Sequence, residues 1–253
     1  MPSEGQLVEI FSAIQGEGPY VGDRQVFVRL AVCDLRCRYC DSAHTWQLQS
    51  TCRVETTAGR RDFQSYTNPV TPEQALAWVE ALVQSGRHAA VSVTGGEPLL
   101  QPTWLASFLA GVQRELGLPV YLETGGHRPA ELAQVLPWVH VVAMDYKLPS
   151  VSGENHAEAH REFLDLATTA GREVFVKAIV DAQTVLQDLT DLAEVVVVTA
   201  PQTLVILQPV TPLTGQRPAA PSPEQVLDWQ AYLQDYGLRV RVIPQTHKFL
   251  GQL

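Results

Sequence analysis

The amino-acid sequence predicts an α/β fold, an open partial (β/α) barrel of six or seven parallel strands, built as one domain over residues 1–253. Three observations carry this expectation. From residue 71 onward, short apolar or β-branched runs alternate with amphipathic helical stretches, the pattern of βα units with a parallel sheet under a layer of helices. The connections between them are short, which favours neighbouring strands in one sheet. The units number six or seven, too few for a full eightfold barrel.

In chain order, Leu7–Ile14 and Gln25–Val32 read as strands joined through the turn Gln15-Gly16-Glu17-Gly18-Pro19. Residues 47–70 are polar, rich in Thr, Arg and Ser, and lack periodicity, so a loop insertion is expected there. Thr71-Pro72-Glu73-Gln74 is a capping-box start, with Thr as N-cap, Pro at N1 and Gln at N3. Leu76, Val79, Leu82 and Val83 then supply one apolar face, and Gly86 a stop. A strand over 89–94 ends in Gly95-Gly96-Glu97-Pro98, and a helix bearing Leu105, Phe108, Leu109, Val112 and Leu116 stops at Gly117. Strand 120–123 leads into Thr124-Gly125-Gly126, followed by helix 128–136, strand 139–145, helix 156–170 and strand 173–180. Residues 184–198 carry two signals. Leu186, Leu189, Leu192 and Val195 have helical spacing, whereas Val195–Val198 alone would suit a strand. The longer window predicts a helix. Strand 203–208, a helix over 222–236 opened by a second capping pattern at Ser222-Pro223-Glu224-Gln225, and strand 238–243 complete the series.

Composition narrows the function. The formal net charge is −9 and no dense Lys/Arg block occurs, which argues against a nucleic-acid partner, because phosphate neutralisation supplies much of that affinity. No run of about 18 apolar residues is present, so no membrane span is expected. Met1–Gln6 shows no basic segment leading into an apolar one, so no secretory signal is read. A small-molecule ligand fits best.

The chemistry concentrates in Cys33-Asp34-Leu35-Arg36-Cys37-Arg38-Tyr39-Cys40-Asp41-Ser42, where three of the four cysteines show the spacing C-x3-C-x2-C. A closed structural zinc site, or a non-catalytic iron–sulfur carrier, needs four protein ligands. A [4Fe–4S] cluster held by three thiolates leaves one iron open to an outside ligand. Cys52 has no partner at ligand spacing and is expected to be a free thiol without a role. Clustered thiols of this kind call for a reducing compartment, hence cytoplasm.

In such barrels the active site lies at the C-terminal ends of the strands. Those ends carry Cys33–Cys40, Gly95-Gly96-Glu97, Glu123-Thr124-Gly125, Asp145-Tyr146-Lys147, Lys177 and Gln208-Pro209. Glycines there let backbone approach a ligand closely, although Gly-Gly also makes ordinary βα turns. Strand-end Lys and Gln can equally pair on the surface or cap a strand.

The cysteine triplet, with aromatic Tyr39 before its third member, resembles the signature of the radical S-adenosylmethionine (SAM) superfamily, and Thr94-Gly95-Gly96-Glu97-Pro98 resembles its GGE motif. This resemblance implies that Cys33, Cys37 and Cys40 hold a [4Fe–4S] cluster whose open iron is chelated by SAM. It further implies SAM contacts from Tyr39, Gly95, Gly96, Glu97, Thr124, Lys147 and Gln208, and reductive cleavage to a 5′-deoxyadenosyl radical. Within the superfamily, Ile14-Gln15-Gly16-Glu17-Gly18, Phe27-Val28-Arg29-Leu30, Cys40-Asp41-Ser42, Gln208-Pro209-Val210 and Gln245-Thr246-His247-Lys248 resemble the 7-carboxy-7-deazaguanine synthases.

That family resemblance implies a lyase of deazapurine (queuosine-type) biosynthesis. It would convert 6-carboxy-tetrahydropterin by hydrogen abstraction at C6, ring contraction and loss of ammonia, with SAM regenerated. Gln15, Gly16, Glu17, Arg29, Thr94, His247 and the terminal carboxylate of Leu253 would bind the pterin. Glu17 suits its donor-rich pyrimidine edge, and Arg29 its carboxylate. Ser42 would ligate Mg2+, standing where Thr is also found in the family. A flavodoxin- or ferredoxin-type electron donor and a homodimer are further implications. A glycyl-radical-enzyme activase shares the cysteine spacing and a small partial barrel but acts on a protein, and would not need Gln15–Gly18 or Arg29.

Overall fold

In a computed structural model describing residues 4–212 and 219–252, ten strands join one sheet. The elements in order are β1 (Leu7–Ile14), β2 (Arg24–Leu30), β3 (Thr51–Glu55), β4 (Phe63–Thr67), α1 (Pro72–Ser85), β5 (Ala90–Gly95), α2 (Pro102–Gly111), β6 (Val120–Thr124) and α3 (Pro129–Val135). They continue with β7 (Val141–Asp145), α4 (Pro149–Ser152), α5 (Ala157–Thr169), β8 (Glu173–Val180), α6 (Leu186–Thr199), β9 (Leu204–Pro209), α7 (Pro223–Asp235), β10 (Arg239–Val242) and α8 (Thr246–Phe249).

The sheet order is β10-β9-β8-β7-β6-β5-β2-β1-β3-β4. Seven consecutive strands, β10 through β5 and then β2, run parallel, in agreement with the expected count. β1 returns antiparallel to β2, and the hairpin β3–β4 adds to β1 through a short parallel pairing. β10 and β4 are the two edges, so the sheet is open.

Helices cover one face, and the main core lies between them and the sheet. Trp104 stacks on Phe108 at 5.2 Å and donates its indole N–H to the Val70 carbonyl, which anchors α2 to the segment entering α1. The opposite face carries smaller apolar groups, Phe11 with Phe27 and Tyr121 with Phe175. They leave room for polar side chains at the strand ends.

Local signals translated directly where they were dense. Both capping boxes are formed, at Thr71 with Gln74 and at Ser222 with Gln225. Residues 186–199 are helical because Leu189, Leu192, Ala193 and Val196 form the buried stripe, while Val197 and Val198 face outward. Helix α2 passes into a π-helical turn, Val112–Leu116, and ends at Gly117 with φ 61°.

Two expectations are corrected. Residues 47–70 are not simply a loop, since they contain β3 and β4. Cys52 and Val54 point into the core and Tyr66 packs on Trp78 at 4.6 Å, an alternation too short and too polar to stand out in the sequence. The second strand ends at Leu30 and not at Val32, because Val32 adopts φ 74° and turns the chain out of the sheet.

Leu122→Ala should cost about 2–5 kcal/mol, since its side chain is fully buried in a central strand. Thr71→Ala should cost only about 1 kcal/mol, the worth of an N-cap. Urea unfolding midpoints of the two variants test this ordering, which equal losses would contradict.

Candidate functional site

The C-terminal ends of the parallel strands open into a cavity of about 460 Å³. Its first wall is the cysteine loop. Just past β2, the Gly96 amide donates to the Leu30 carbonyl at 3.0 Å and the Glu97 amide to Val32 at 2.9 Å. A Cβ on Gly96 would sit on the Val32 carbonyl oxygen, so only glycine permits this approach. On the loop's outer side, Asp34 accepts from His127 at 3.1 Å and from Arg128 at 2.6 Å. The Val32 amide donates to the Thr45 carbonyl, closing the loop at its base.

Cys33, Cys37 and Cys40 all line the cavity and form no disulfide. Burial pushes the Cys33 thiol up to about 11 and raises that of Cys37. The protein alone therefore keeps these two sulfurs protonated, and a bound metal's charge must supply the drive to ionise them. Among the described residues no three His, Cys, Asp or Glu side chains converge on one ion. Thiolates bound to separate irons of a cube would not share a single ion position.

The second wall is the Gly95-Gly96-Glu97 turn and the ends of β6, β7 and β9. Glu97 accepts from the Leu99 amide, the Thr124 hydroxyl and the Gly125 amide at 2.8–3.0 Å. It thereby fixes Thr124 and Gly125. Lys147 pairs with Asp145 at 2.8 Å and lies 5.4 Å from the centre of the Tyr39 ring. Burial works against its charge, but Asp145 holds the ammonium well above its ordinary value. Gln208 is buried and lines the cavity, and neither its amide oxygen nor its nitrogen has a partner among the described residues. A buried amide so placed calls for a partner that the chain does not supply, a bound ligand or an ordered water.

The floor is a row of cross-strand neighbours. Arg53, Glu9, Arg29 and Thr94 are successive register partners on β3, β1, β2 and β5. Glu123 accepts from Thr94 Oγ1 at 2.9 Å and from Gln15 Nε2 at 2.9 Å. Glu17 pairs with Lys177 and accepts from Gln245 Nε2 at 2.9 Å. Burial alone would raise the Glu17 carboxyl, but Lys177 and Gln245 bring it down to about 2.

The C-terminal tail closes the mouth. Gln245 also donates to Asp41 at 3.0 Å, and Lys248 pairs with Asp41 at 2.7 Å. The Thr246 amide donates to the Gly16 carbonyl, and His247 packs so close to Gly16 that any Cβ there would overlap it. Ser42 makes no helix-capping bond. Its hydroxyl lies 3.8 Å from Cys40 Sγ and faces the cavity.

Comparison with known proteins decides the family. Residues 28–184 match the Radical SAM superfamily. A 7-carboxy-7-deazaguanine synthase from Geobacter sulfurreducens is 40% identical over 251 residues, covering 98% of both chains. Another, from Archaeoglobus fulgidus, is 35% identical and covers 97% of both. The chain belongs to the 7-carboxy-7-deazaguanine synthase family of the radical SAM superfamily. The crystal structure of QueE from Escherichia coli shares the fold, with a TM-score of 0.60 at 18% identity over 94% of this chain and 93% of that one. Membership makes this a radical SAM enzyme, with a [4Fe–4S] cluster and SAM as its cofactors. The residues fit these groups. Three thiols, a glycine cradle and the orphaned Gln208 amide share one cavity.

Gln15, Gly16, Glu17, Arg29, Thr94 and His247 line this cavity together with Cys33, Cys37, Cys40 and Ser42. So do Tyr39, Gly95, Gly96, Glu97, Thr124, Lys147 and Gln208. Leu253 lies outside the described residues. Neither Glu9 nor Arg53 stands out in the sequence, and Asp41 enters only within the Cys40-Asp41-Ser42 motif, without a role. Sequence reasoning placed Glu123, Asp145 and Lys177 at strand ends without giving them roles. The available signal was a charged residue at an inward strand position, as at Glu9 between Val8 and Ile10.

Glu17 also predicts an acid dependence of stability. Its carboxyl is depressed from an ordinary 4.5 to about 2, so its contribution is full above about pH 4.5 and is lost as pH falls toward 2. Glu17→Gln should lower the melting temperature at neutral pH and converge on the wild type near pH 2. Parallel curves throughout would contradict it.

Proposed function

We propose that this enzyme converts 6-carboxy-tetrahydropterin into 7-carboxy-7-deazaguanine by C6 hydrogen abstraction, ring contraction and loss of ammonia. One observation carries the reading. The cysteine loop and Gly-Gly-Glu turn face, across a single cavity, a floor with Glu9 between Arg29 and Arg53 at one end and Glu123 and the Lys177-paired Glu17 at the other.

The cluster and SAM, when bound, supply a 5′-deoxyadenosyl radical. The chain's own residues bind and orient the substrate. Arg29 uses its Nε–H on Glu9 at 2.8 Å, and its planar guanidinium suits the substrate carboxylate. Glu17, kept ionised by Lys177, accepts N–H donors from the pyrimidine edge, and Gln15 and Thr94 are oriented beside it by Glu123. The tail at 245–248 covers the bound ligand and limits water access.

Ser42 offers a hard oxygen beside the cluster loop, and Mg2+ takes such ligands together with water and substrate oxygens. Ser42→Ala should then lose most of the rise in turnover given by added Mg2+, while full activity in metal-stripped buffer would exclude the ion. The free, clustered thiols fit a reducing cytoplasm. The family resemblance adds a flavodoxin- or ferredoxin-type donor and a homodimer.

The reaction is tested by incubating reconstituted, reduced protein with SAM and 6-carboxy-tetrahydropterin and measuring the product mass. A deazaguanine carboxylate formed with one ammonia released is expected. An unconverted pterin under conditions that cleave SAM would overturn the assignment. Cys33→Ala, Cys37→Ala and Cys40→Ala should each abolish iron loading and product, whereas Cys52→Ala, buried away in the core, should retain both.

A further inference from the structure

We propose that Arg53, carried by the β3–β4 hairpin, is a second carboxylate-binding residue of the substrate cavity and acts as a pair with Arg29. The proposal rests on the function proposed above and adds to it a specificity residue from a segment whose sequence gave no hint of one.

The sheet register puts three charges side by side. Glu9 on β1 is the direct partner of Arg29 on β2 and of Arg53 on β3. Glu9 is only 3% exposed, and each of its carboxylate oxygens is taken by a different arginine. Arg29 Nε reaches Oε1 at 2.8 Å, while Arg53 reaches Oε2 with Nη2 at 2.5 Å and Nε at 2.7 Å. One buried carboxylate needs one cation for neutrality. The trio therefore carries one net positive charge, and all three residues line the cavity.

Arg53 is also held ready for a ligand. Its guanidinium lies 4.6 Å from the centre of the Phe63 ring on the paired strand, a cation–π contact that fixes its plane. Among the described residues, neither Arg29 nor Arg53 has a protein acceptor other than Glu9. The hairpin tip is tied to the site as well, since Arg61 donates to the Gly251 carbonyl of the tail that carries His247. Arg53 lies on a strand paired on both sides, and although its side chain is half exposed, its guanidinium is turned to Glu9 and Phe63 at the cavity and not out along an edge. Substrate and product of the proposed reaction each carry one carboxylate, matching the one unneutralised charge.

The test is calorimetric titration of cluster-loaded, SAM-bound enzyme with 7-carboxy-7-deazaguanine and, separately, with its uncharged primary carboxamide. Wild type should prefer the carboxylate. Arg53→Met should weaken carboxylate binding roughly ten- to a hundredfold, the range of a charge-assisted hydrogen-bonded pair, and leave the carboxamide within about threefold. Arg53→Lys, which keeps the charge but not the planar fork, should fall between them. In turnover, KM for the pterin should rise with kcat held. Glu9 keeps Arg29 in both variants, so melting temperatures should stay near wild type. An unchanged carboxylate-to-carboxamide ratio, or equal losses for both ligands, would overturn the assignment. Arg53-dependent discrimination without product formation would leave Arg53 in place and sink the reaction, whereas product formation with an unchanged ratio would do the reverse.

Discussion

The parallel pairing of β2 with β5 is the constraint on which the site depends. It runs in register to Leu30 opposite Gly95 and then continues through two backbone hydrogen bonds, from Gly96 to Leu30 and from Glu97 to Val32. Those bonds join the start of the cysteine loop to the Gly-Gly-Glu turn, so the first two walls of the cavity meet along one seam. Glu97 then holds Thr124 and Gly125, and the same loop returns His127 and Arg128 to Asp34. The chain of contacts closes on itself around the cavity.

Charge pairing governs the rest. A charge removed from water needs a partner, and the floor supplies partners through sheet register: Glu9 between two arginines, Lys177 between Glu17 and Asp145, and Asp145 shared with Lys147. Gln245 has a distinct place in this network. Its single amide nitrogen donates both to Glu17 and to Asp41, next to Cys40, so the docked tail joins the turn after β1 to the end of the cysteine loop.

The sequence made legible whatever repeats or caps. Helical stripes, two capping boxes and the order of strand ends were all readable, because each follows from local geometry. The cavity could be assembled from them once parallel topology was assumed. The hairpin at 51–67 was not readable. Its strands are five residues each at one end of the sheet, and two buried apolar positions, Cys52 and Val54, are too few to separate the run from a polar loop. Which charges would pair was likewise invisible, because Glu9–Arg53 and Glu17–Lys177 are joined by register and topology and not by spacing in the chain. Glu97 was expected to face SAM, yet much of its hydrogen-bonding capacity serves its own neighbours.

Cys33, Cys37 and Cys40 would hold a [4Fe–4S] cluster that keeps one iron free for SAM, in the cavity that also contains Gln208 and the Gly-Gly-Glu turn. Mössbauer spectroscopy of the iron-reconstituted protein, before and after addition of SAM, is the decisive measurement. One [4Fe–4S] cluster per chain is expected, with a single iron site whose spectrum changes when SAM binds. Four equivalent thiolate-ligated irons, or a spectrum indifferent to SAM, would contradict this.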